Sequence, residues 1–569
     1  MLENTLQAQQ PAYPNETEHA QSKPARAART GSRAPLGLLL CGLGFVVCIL
    51  LTVTPLIRMP DPIHLHYFAP GFFLARASGW FPLNLGPLTS PQSTYTEFFL
   101  LIILAFLCYA PGARLVRRQE EGNSQGTLRG WIWLSTVLAG AVYVVTPAML
   151  SHDILVYASY SRVLATYHAN PYFVPISTFP QDVFTPLNYW AGVVSAYGPL
   201  WTLVCGFFGW LLNPDPAAYI VVFRIFALGA HLLNTWLVGR TLHAMGRPPR
   251  TVTLGMLLYA WNPLLLLESS LGGHNDVFMV TFVLVGILLT ARAEARGEFL
   301  RACGYLPPVG ALTLAALVKF TALPVLAVAL LFLVCEALRP TAASPREFKQ
   351  APRNWRGALL PLAWSGLAAA LVTLAFYAPF WLGHSLGDII ASFKNPPSSL
   401  YAENSFMRSI VEWGLRHPAL RQNTLLSFLS NRHLWDDLTF AAIALCLLVG
   451  ATRLWTKPAT RTFLAVSLAT LCAVLLITPW FFSWYVTWIL ALAVVWLPRH
   501  PGRFEAALLA LTFTFGFSAL LTYLFNGGLF GSYYYLVSLF TTLPPVCAFL
   551  LTLVMWRPVR SSITGDAKR

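Results

Sequence analysis

The chain of 569 residues has little charge for its length. Asp, Glu, Lys and Arg together make up 11% of the residues, and hydrophobic residues make up 56%, whereas an ordinary soluble domain is roughly 25% charged. This shortage excludes a string of soluble domains, because most of the chain consists of apolar runs long enough to cross a bilayer. We therefore predict one membrane domain built from helices.

Other signatures are also missing. The nine cysteines form no CxxC pair and no His-Cys cluster with metal-ligand spacing, so we interpret them as packing residues. No Gly-rich nucleotide-binding loop is evident. The chain shows no internal repeat of motifs, which weakly disfavours transporters built from duplicated halves.

Basic residues, in contrast, are in excess, with a formal net charge of +15. Lys and Arg concentrate in the cytoplasmic loops of membrane proteins, so nucleic acid is not needed to explain this charge. Residues 1–34 are predicted to be a disordered basic cytoplasmic tail, and residues 557–569 a second basic cytoplasmic tail. Residues 35–556 form the predicted membrane domain. Its first apolar run has no following cleavage site and is interpreted as an uncleaved anchor.

Placing every basic cluster in the cytoplasm predicts about fourteen crossings with both termini inside. The predicted outer loops are residues 58–96, 151–196 and 383–437. This map requires a partial helix at residues 197–212 and a broken one at residues 306–338, with its turn near Lys319. Broken helices at membrane depth are tolerated where they line protein or a water-filled cavity, so both breaks indicate a site.

On this map, acids, His, Asn and aromatic residues gather at the outer face, whereas the inner edge carries mostly Lys and Arg. Asp153 follows a predicted span directly and begins a predicted amphipathic helix over residues 154–168 that lies along the membrane surface. One interpretation is that Ser151 or Asp153 caps this helix. The other is that Asp153 is a general base that takes the proton of an attacking hydroxyl.

A second polar group ends one span and begins the next. Gly272 and Asn275 or Asp276 have the positions of helix caps. The functional interpretation depends on Glu268, one turn earlier, because an ionisable residue at membrane depth is a candidate for function. Its predicted partner is His274 or Lys319.

Two cations and an aromatic cluster also have alternative interpretations. Lys319 and Arg224 either extend to the lipid headgroups or hold a phosphate, whose charge a cation stabilises in the transition state. The aromatic residues between Trp480 and Trp488 are typical of an interfacial belt. A wall that stacks on sugar is the alternative.

Together these motifs resemble a family: the membrane glycosyltransferases of the GT-C class and, within it, the bacterial polyprenyl-phosphate-mannose-dependent alpha-1,6-mannosyltransferases. The resemblance covers most of the chain. The residues that carry it are His152-Asp153, Asn170-Pro171-Tyr172, Tyr197-Gly198-Pro199, Trp261-Asn262-Pro263, Glu268, His274-Asn275-Asp276, Lys319 and Trp484-Tyr485.

The resemblance implies an all-α GT-C-like helical bundle in the bacterial plasma membrane with an extracytoplasmic active site. It implies transfer of a hexose, expected to be mannose, from a polyprenyl-phosphate donor to an envelope glycan or glycolipid with inversion. Asp153 would be the general base. His152 stands where the family usually has an acid, so a divalent metal cofactor is left open.

The resemblance also assigns residues to the substrates. Lys319, assisted by Arg224 or Arg408, would bind the leaving phosphate, and Glu268 with residues 274–276 would orient sugar hydroxyls. The remaining expected substrate-binding residues are Tyr172, Trp484 and Tyr485.

Two alternatives remain at this stage. One is another lipid-linked transferase, such as an O-antigen ligase or a protein mannosyltransferase. The other is a multi-span transporter or lipid flippase, for which His231 and Asn234 are the strongest candidates near the bilayer midplane.

Overall fold

We describe the fold from a computed structural model of the chain. The structure describes residues 33–59, 91–119, 125–339, 355–393, 401–417, 419, 423–498, 500–526 and 531–556. The C-terminal tail and nearly all of the N-terminal tail and the first predicted outer loop lie outside these residues.

Most of the described residues are helical and none lies in a strand, which confirms the predicted all-α class. The helices of the first half are α1 (Arg33–Arg58), α2 (Pro91–Arg118), α3 (Gln125–Val144), α4 (Asp153–Ala165), α5 (Pro199–Leu211), α6 (Pro216–Ala244), α7 (Pro249–Ala260), α8 (Pro263–Leu266), α9 (Asp276–Ala295), α10 (Leu306–Val318) and α11 (Leu323–Ala337). Those of the second half are α12 (Trp355–Trp381), α13 (Leu386–Ser392), α14 (Phe406–Arg416), α15 (Thr424–Leu429), α16 (Arg432–Thr456), α17 (Thr460–Ile477), α18 (Val486–Trp496), α19 (Arg503–Ser518), α20 (Thr522–Asn526), α21 (Val537–Thr541) and α22 (Leu543–Met555).

Many of these helices are long enough to cross a membrane. Within the described ranges, ten are long and apolar enough, and a bent pair raises the number to as many as eleven. Three shorter apolar helices, α5, α10 and the segment Ser483–Trp496, accompany them. The chain is thus a multi-pass membrane protein, and the expected total of about fourteen crossings stays a prediction.

Burial separates helices inside the bundle from helices at its edge. Every residue of α18 is buried, as expected for a helix that is apolar all round. In contrast, only 6% and 11% of the most apolar windows of α12 and α16 are buried inside the protein. The exposed apolar faces of α12 and α16 suit contact with lipid.

The span that carries Glu268 is bent. The Asn262 side chain accepts hydrogen bonds from the backbone N–H groups of Leu264 and Leu265 and so begins α8. The axis turns by 55° between α7 and the segment Pro263–Leu271, whose last five residues form a π-helical turn. Such turns are frequent at functional sites, and this one directs Glu268 into the protein interior.

The predicted break at Lys319 is present. Helix α10 ends at Val318, and Lys319 is extended, with φ −153° and ψ 128°. Gly198 precedes α5 and donates its N–H to the Val318 carbonyl at 3.1 Å. A Cβ at Gly198 would overlap the Leu317 carbonyl, so glycine permits the close approach of α5 to the end of α10.

The helix predicted at residues 154–168 forms as α4, but its setting differs from the prediction. Residues 154–161 are all buried, so α4 packs inside the protein instead of lying along an open surface. Its serines explain the difference, because Ser159 and Ser161 bond to carbonyls one turn back, at 2.8 and 2.9 Å. Satisfied in this way, short polar side chains are compatible with burial.

Candidate active site

Asp153 is the first residue of α4. Its backbone N–H donates to Ser151 Oγ at 3.3 Å, while its own carboxylate points away from the helix start. Asp153 Oδ2 accepts a hydrogen bond from the Tyr157 hydroxyl, one turn later, at 3.3 Å. The carboxylate is therefore engaged in a side-chain cluster and does not cap α4.

His274 lies between two carboxylates. Its Nδ1 is 3.4 Å from Asp153 Oδ2 and its Nε2 is 3.3 Å from Glu268 Oε2. Both distances are within ion-pair range, although neither contact has the alignment of a good hydrogen bond. Glu268 also accepts from the Tyr523 hydroxyl at 3.0 Å. The result is a continuous row from Asp153 through His274 and Glu268 to Tyr523.

Charges in this row change the pKa values of His274 and Asp153. His274 lies in the turn between two spans; burial alone lowers its pKa, but Asp153 and Glu268 raise it by more, to about 9. Burial raises the pKa of Asp153, but His274, Lys319 and Tyr157 together bring it below its ordinary value. At neutral pH this favours an ionised Asp153 beside an imidazolium.

A second ion pair lies beside this row. Lys319 Nζ donates to both carboxylate oxygens of Asp276 at 2.9 Å, and Trp488 Nε1 donates to Asp276 Oδ1 at 2.7 Å. Asp276 is fully buried, whereas 12% of the Lys319 side chain is exposed. Lys319 thus neutralises a buried carboxylate and still reaches open space.

The aromatic cluster after Pro479 belongs to the site. Trp484 stacks on His274, with ring centroids 4.0 Å apart, and Phe482 stacks on Trp484 at 4.4 Å. Lys319 Nζ lies 4.4 Å from the ring centroid of Tyr485, a cation–π distance. These rings enclose the charged groups, so the interfacial-belt interpretation does not describe them.

Asn275 precedes α9, but its side chain makes no capping hydrogen bond. Its Oδ1 instead accepts from the Tyr157 hydroxyl at 3.3 Å. Gly273 has φ +61°, the left-handed conformation that turns the chain between the π-helical turn and α9. As a result of this turn, His274 faces Asp153 and Glu268, Asn275 contacts Tyr157, and Asp276 pairs with Lys319.

Two cavities meet at Asp153. One, of about 450 Å³, contains Lys319 and is otherwise largely aromatic and apolar. The other, of about 770 Å³, contains His152 and the carboxylates of Glu403 and Glu412. Asp153, Val156, Trp190, Phe482 and Trp484 line both. Asp153 is the ionisable residue common to the two cavities.

Some expected substrate-binding residues lie elsewhere. Arg224 is fully buried and donates to the backbone carbonyls of Leu271, Val144, Thr146 and Ala148. Its guanidinium thus ties α6 to the chain that follows α3, and Arg224 lines neither cavity. We therefore do not include Arg224 in the proposed phosphate site.

Arg408 and Tyr172 line different cavities. Arg408 lines the larger cavity and pairs with Glu412 at 2.8 Å, so it does not share a cavity with Lys319. Tyr172 lines the smaller one, with its hydroxyl bonded to the Tyr197 carbonyl at 2.9 Å. Each of the two residues thus belongs to one cavity only.

The structure brings to the site three residues that were not predicted from the sequence. Tyr157 had a signal, because it stands four residues after Asp153 on a helix. Arg432 lines the smaller cavity beside Asp436 and begins a span. Tyr523 had no local signal, since its partner Glu268 is distant in the chain.

The midplane candidates for a transporter hold helices together. His231 Nε2 lies 3.2 Å from the Ala260 carbonyl, and Asn234 donates to the Tyr259 hydroxyl and the Val277 carbonyl. Neither His231 nor Asn234 lines the two cavities described above.

The part of the chain that the structure describes has no group of three or more His, Cys, Asp or Glu side chains arranged to hold a metal ion.

Part of the chain is similar to a known protein family. Residues 73–335 match the family described as alpha-(1->6)-mannopyranosyltransferase, N-terminal domain. No curated protein matches the chain. The matched segment includes Asp153, Glu268, His274, Asp276 and Lys319, whereas the aromatic cluster after Pro479 follows it. The match covers somewhat less than half of the chain, and together with the many apolar helices it supports a membrane glycosyltransferase similar to this family.

Proposed function

We propose that the protein transfers mannose from a polyprenyl-phosphate donor to an envelope glycan or glycolipid acceptor, with inversion at the anomeric carbon. The reaction takes place on the extracytoplasmic side of a bacterial plasma membrane, and both termini are cytoplasmic. The observation that carries the proposal is the position of the Asp153 carboxylate, which faces two cavities of different character.

The smaller cavity suits the lipid-linked donor. It contains a cation, Lys319, together with the apolar side chains of Phe320 and Phe440. Phe440 belongs to α16 and is 71% exposed, so this cavity adjoins a surface suited to lipid. A donor arriving laterally would place its phosphate near Lys319 and its chain along these apolar residues.

The larger cavity suits the acceptor. The carboxylates of Glu403 and Glu412 can accept hydrogen bonds from sugar hydroxyls, and the rings of Tyr189 and Trp190 offer faces for stacking. Arg408 is already neutralised by Glu412 at 2.8 Å. This lining favours an uncharged glycan over an anionic one, because excess carboxylates repel negative charge.

The reaction is a single displacement. The acceptor hydroxyl attacks the anomeric carbon from the side opposite the phosphate, and its proton passes to Asp153. The bond between that carbon and the phosphate oxygen breaks, and its electron pair leaves with the phosphate. Lys319 stabilises the charge that develops there, an electrostatic contribution that is often the largest in catalysis.

The stereochemistry of the product tests this mechanism. Purified protein is given polyprenyl-phosphate-mannose with a β-configured anomeric carbon and a short neutral mannoside. We expect an α-linked product, identified by the carbon–proton coupling of its anomeric centre in NMR spectra. A β-linked product would mean retention and would exclude the single displacement.

Thiol labelling tests the side of the membrane. Tyr189 is 80% exposed and lines the larger cavity. In a variant whose nine native cysteines are replaced, we expect Tyr189→Cys to react with a membrane-impermeant thiol reagent in intact cells. Glu298→Cys, at the predicted inner face, is the control that reacts after permeabilisation. The reverse pattern would contradict the topology.

A further inference from the structure

Glu268 and His274 lie behind Asp153 and line neither cavity. Glu268 is about 1% exposed and His274 is fully buried. Direct contact with sugar hydroxyls, which the family resemblance implies for both residues, does not fit this burial. Their contacts point instead to Asp153.

One oxygen of Asp153 is engaged and the other is available. Oδ2 faces both His274 Nδ1 and the Tyr157 hydroxyl. Among the described residues, no hydrogen bond or ion pair to Oδ1 accompanies these contacts, and 21% of the side chain is exposed. Contacts on Oδ2 alone therefore fix the carboxylate while leaving Oδ1 for the substrates.

The charges of the row balance differently before and after proton transfer. An imidazolium has an N–H on each nitrogen and so matches a carboxylate on each side. With Asp153 and Glu268 ionised and His274 protonated, the row has one net negative charge; after Asp153 takes a proton, it has none. His274 thus keeps Asp153 ionised and ready to accept a proton, and the row carries no net charge once the proton has been transferred.

His274 interacts with Asp153 and Glu268, and other ionisable groups lie around these three residues. They are Tyr157 and Tyr160 on α4, Tyr197 before α5, Arg224 on α6, Asp276 on α9, Lys319 after α10, Tyr485 before α18, and Tyr523 on α20. Lys319 and Asp276 neutralise each other at 2.9 Å. Arg224 is directed to carbonyls, so Asp153 and Glu268 are the carboxylates that face the imidazole.

We propose that His274 and Glu268 are positioning residues for the general base. His274 stays an imidazolium that holds Asp153 with Oδ1 toward the substrates, and Glu268, fixed by Tyr523, keeps His274 protonated. This inference rests on the proposed function, because it assigns a role in support of Asp153 as base.

The test is the pH dependence of kcat. In the wild type, activity falls at high pH as His274, with its pKa of about 9, loses its proton. Glu268→Gln removes the second carboxylate and keeps the side-chain shape. We expect the high-pH limb of kcat to move down by at least about one pH unit, since a lost counter-ion lowers the pKa of a cation. KM for donor and acceptor should hardly change.

Two further variants and two controls complete the design. His274→Gln is expected to abolish the high-pH limb and to move the low-pH limb up, because Asp153 loses the cation that lowers its pKa. Glu298→Gln and His243→Gln are the matched controls at the predicted inner face, with both profiles unchanged. Glu268→Asp, which keeps the charge, should restore much of the high-pH limb.

The outcomes separate the two proposals. If Glu268→Gln and His274→Gln lower activity equally at every pH, the residues serve folding only and the inference is wrong, while the proposed function stands. If the wild type itself transfers no mannose from the lipid donor, the proposed function fails.

Discussion

Lys319→Ala is expected to lose transfer and to destabilise the protein. Lys319 Nζ donates to both oxygens of Asp276 at 2.9 Å, and Asp276 is fully buried. Removing one partner of a buried pair leaves a charge without compensation, at a cost of about 3–5 kcal/mol. Trp488 Nε1 would remain as the hydrogen-bond donor to Asp276. Thermal unfolding in detergent and a transfer assay measure the two losses.

A double variant separates folding from phosphate binding. Lys319→Met with Asp276→Asn removes both charges and keeps similar volumes, so we expect it to recover most of the lost stability. Transfer should still be lost, because Lys319 no longer faces the donor phosphate and Arg432, which also lines this cavity, is paired with Asp436. Lys457→Ala, at an exposed position, is the control. Wild-type donor affinity in the double variant would refute the phosphate role of Lys319.

The sequence predicts the helical class of the protein and the positions of its short and broken helices. Long apolar runs are a strong signal, since lipid requires every backbone group to be satisfied within a helix. The charge pattern also indicates the partial helix at residues 197–212, which forms as α5, and the break at Lys319. The surface location expected for α4 is wrong, because polarity along a helix does not show that serines bond to their own backbone.

The sequence predicts which residues belong to the site better than it predicts which residue each of them contacts. His274 was one of two predicted partners of Glu268 and lies 3.3 Å from it, while Lys319, the other, pairs with Asp276. Arg224 shows the limit of such reasoning. An intramembrane arginine has the same sequence signature whether it holds a phosphate or, as here, backbone carbonyls.

Contacts between distant segments lie beyond sequence patterns altogether. Tyr523 reaches Glu268, and Trp484 stacks on His274, although long stretches of chain separate each pair. Tyr523 lies in α20 and Trp484 just before α18, so tertiary packing alone brings them to Glu268 and His274. Neither periodicity nor spacing encodes which helices meet.

Asp153→Asn is expected to reduce transfer by a factor of about 10² to 10⁴, the usual contribution of a general base. The amide keeps the size of the carboxylate but cannot take the acceptor proton. It also leaves His274 facing Glu268 alone. Because Asp153 is 21% exposed, the fold should tolerate the change, and donor binding through Lys319 should persist. Asp437→Asn, at an exposed position, is the matched control.

The direct measurement is single-turnover transfer of labelled mannose from polyprenyl-phosphate-mannose to a neutral mannoside, by purified wild type and Asp153→Asn side by side. We predict product from the wild type, and from the variant bound donor with product formation slowed by at least about a hundredfold. Equal rates in the two proteins, with donor binding also equal, would contradict the assignment of Asp153 as the base that serves both cavities.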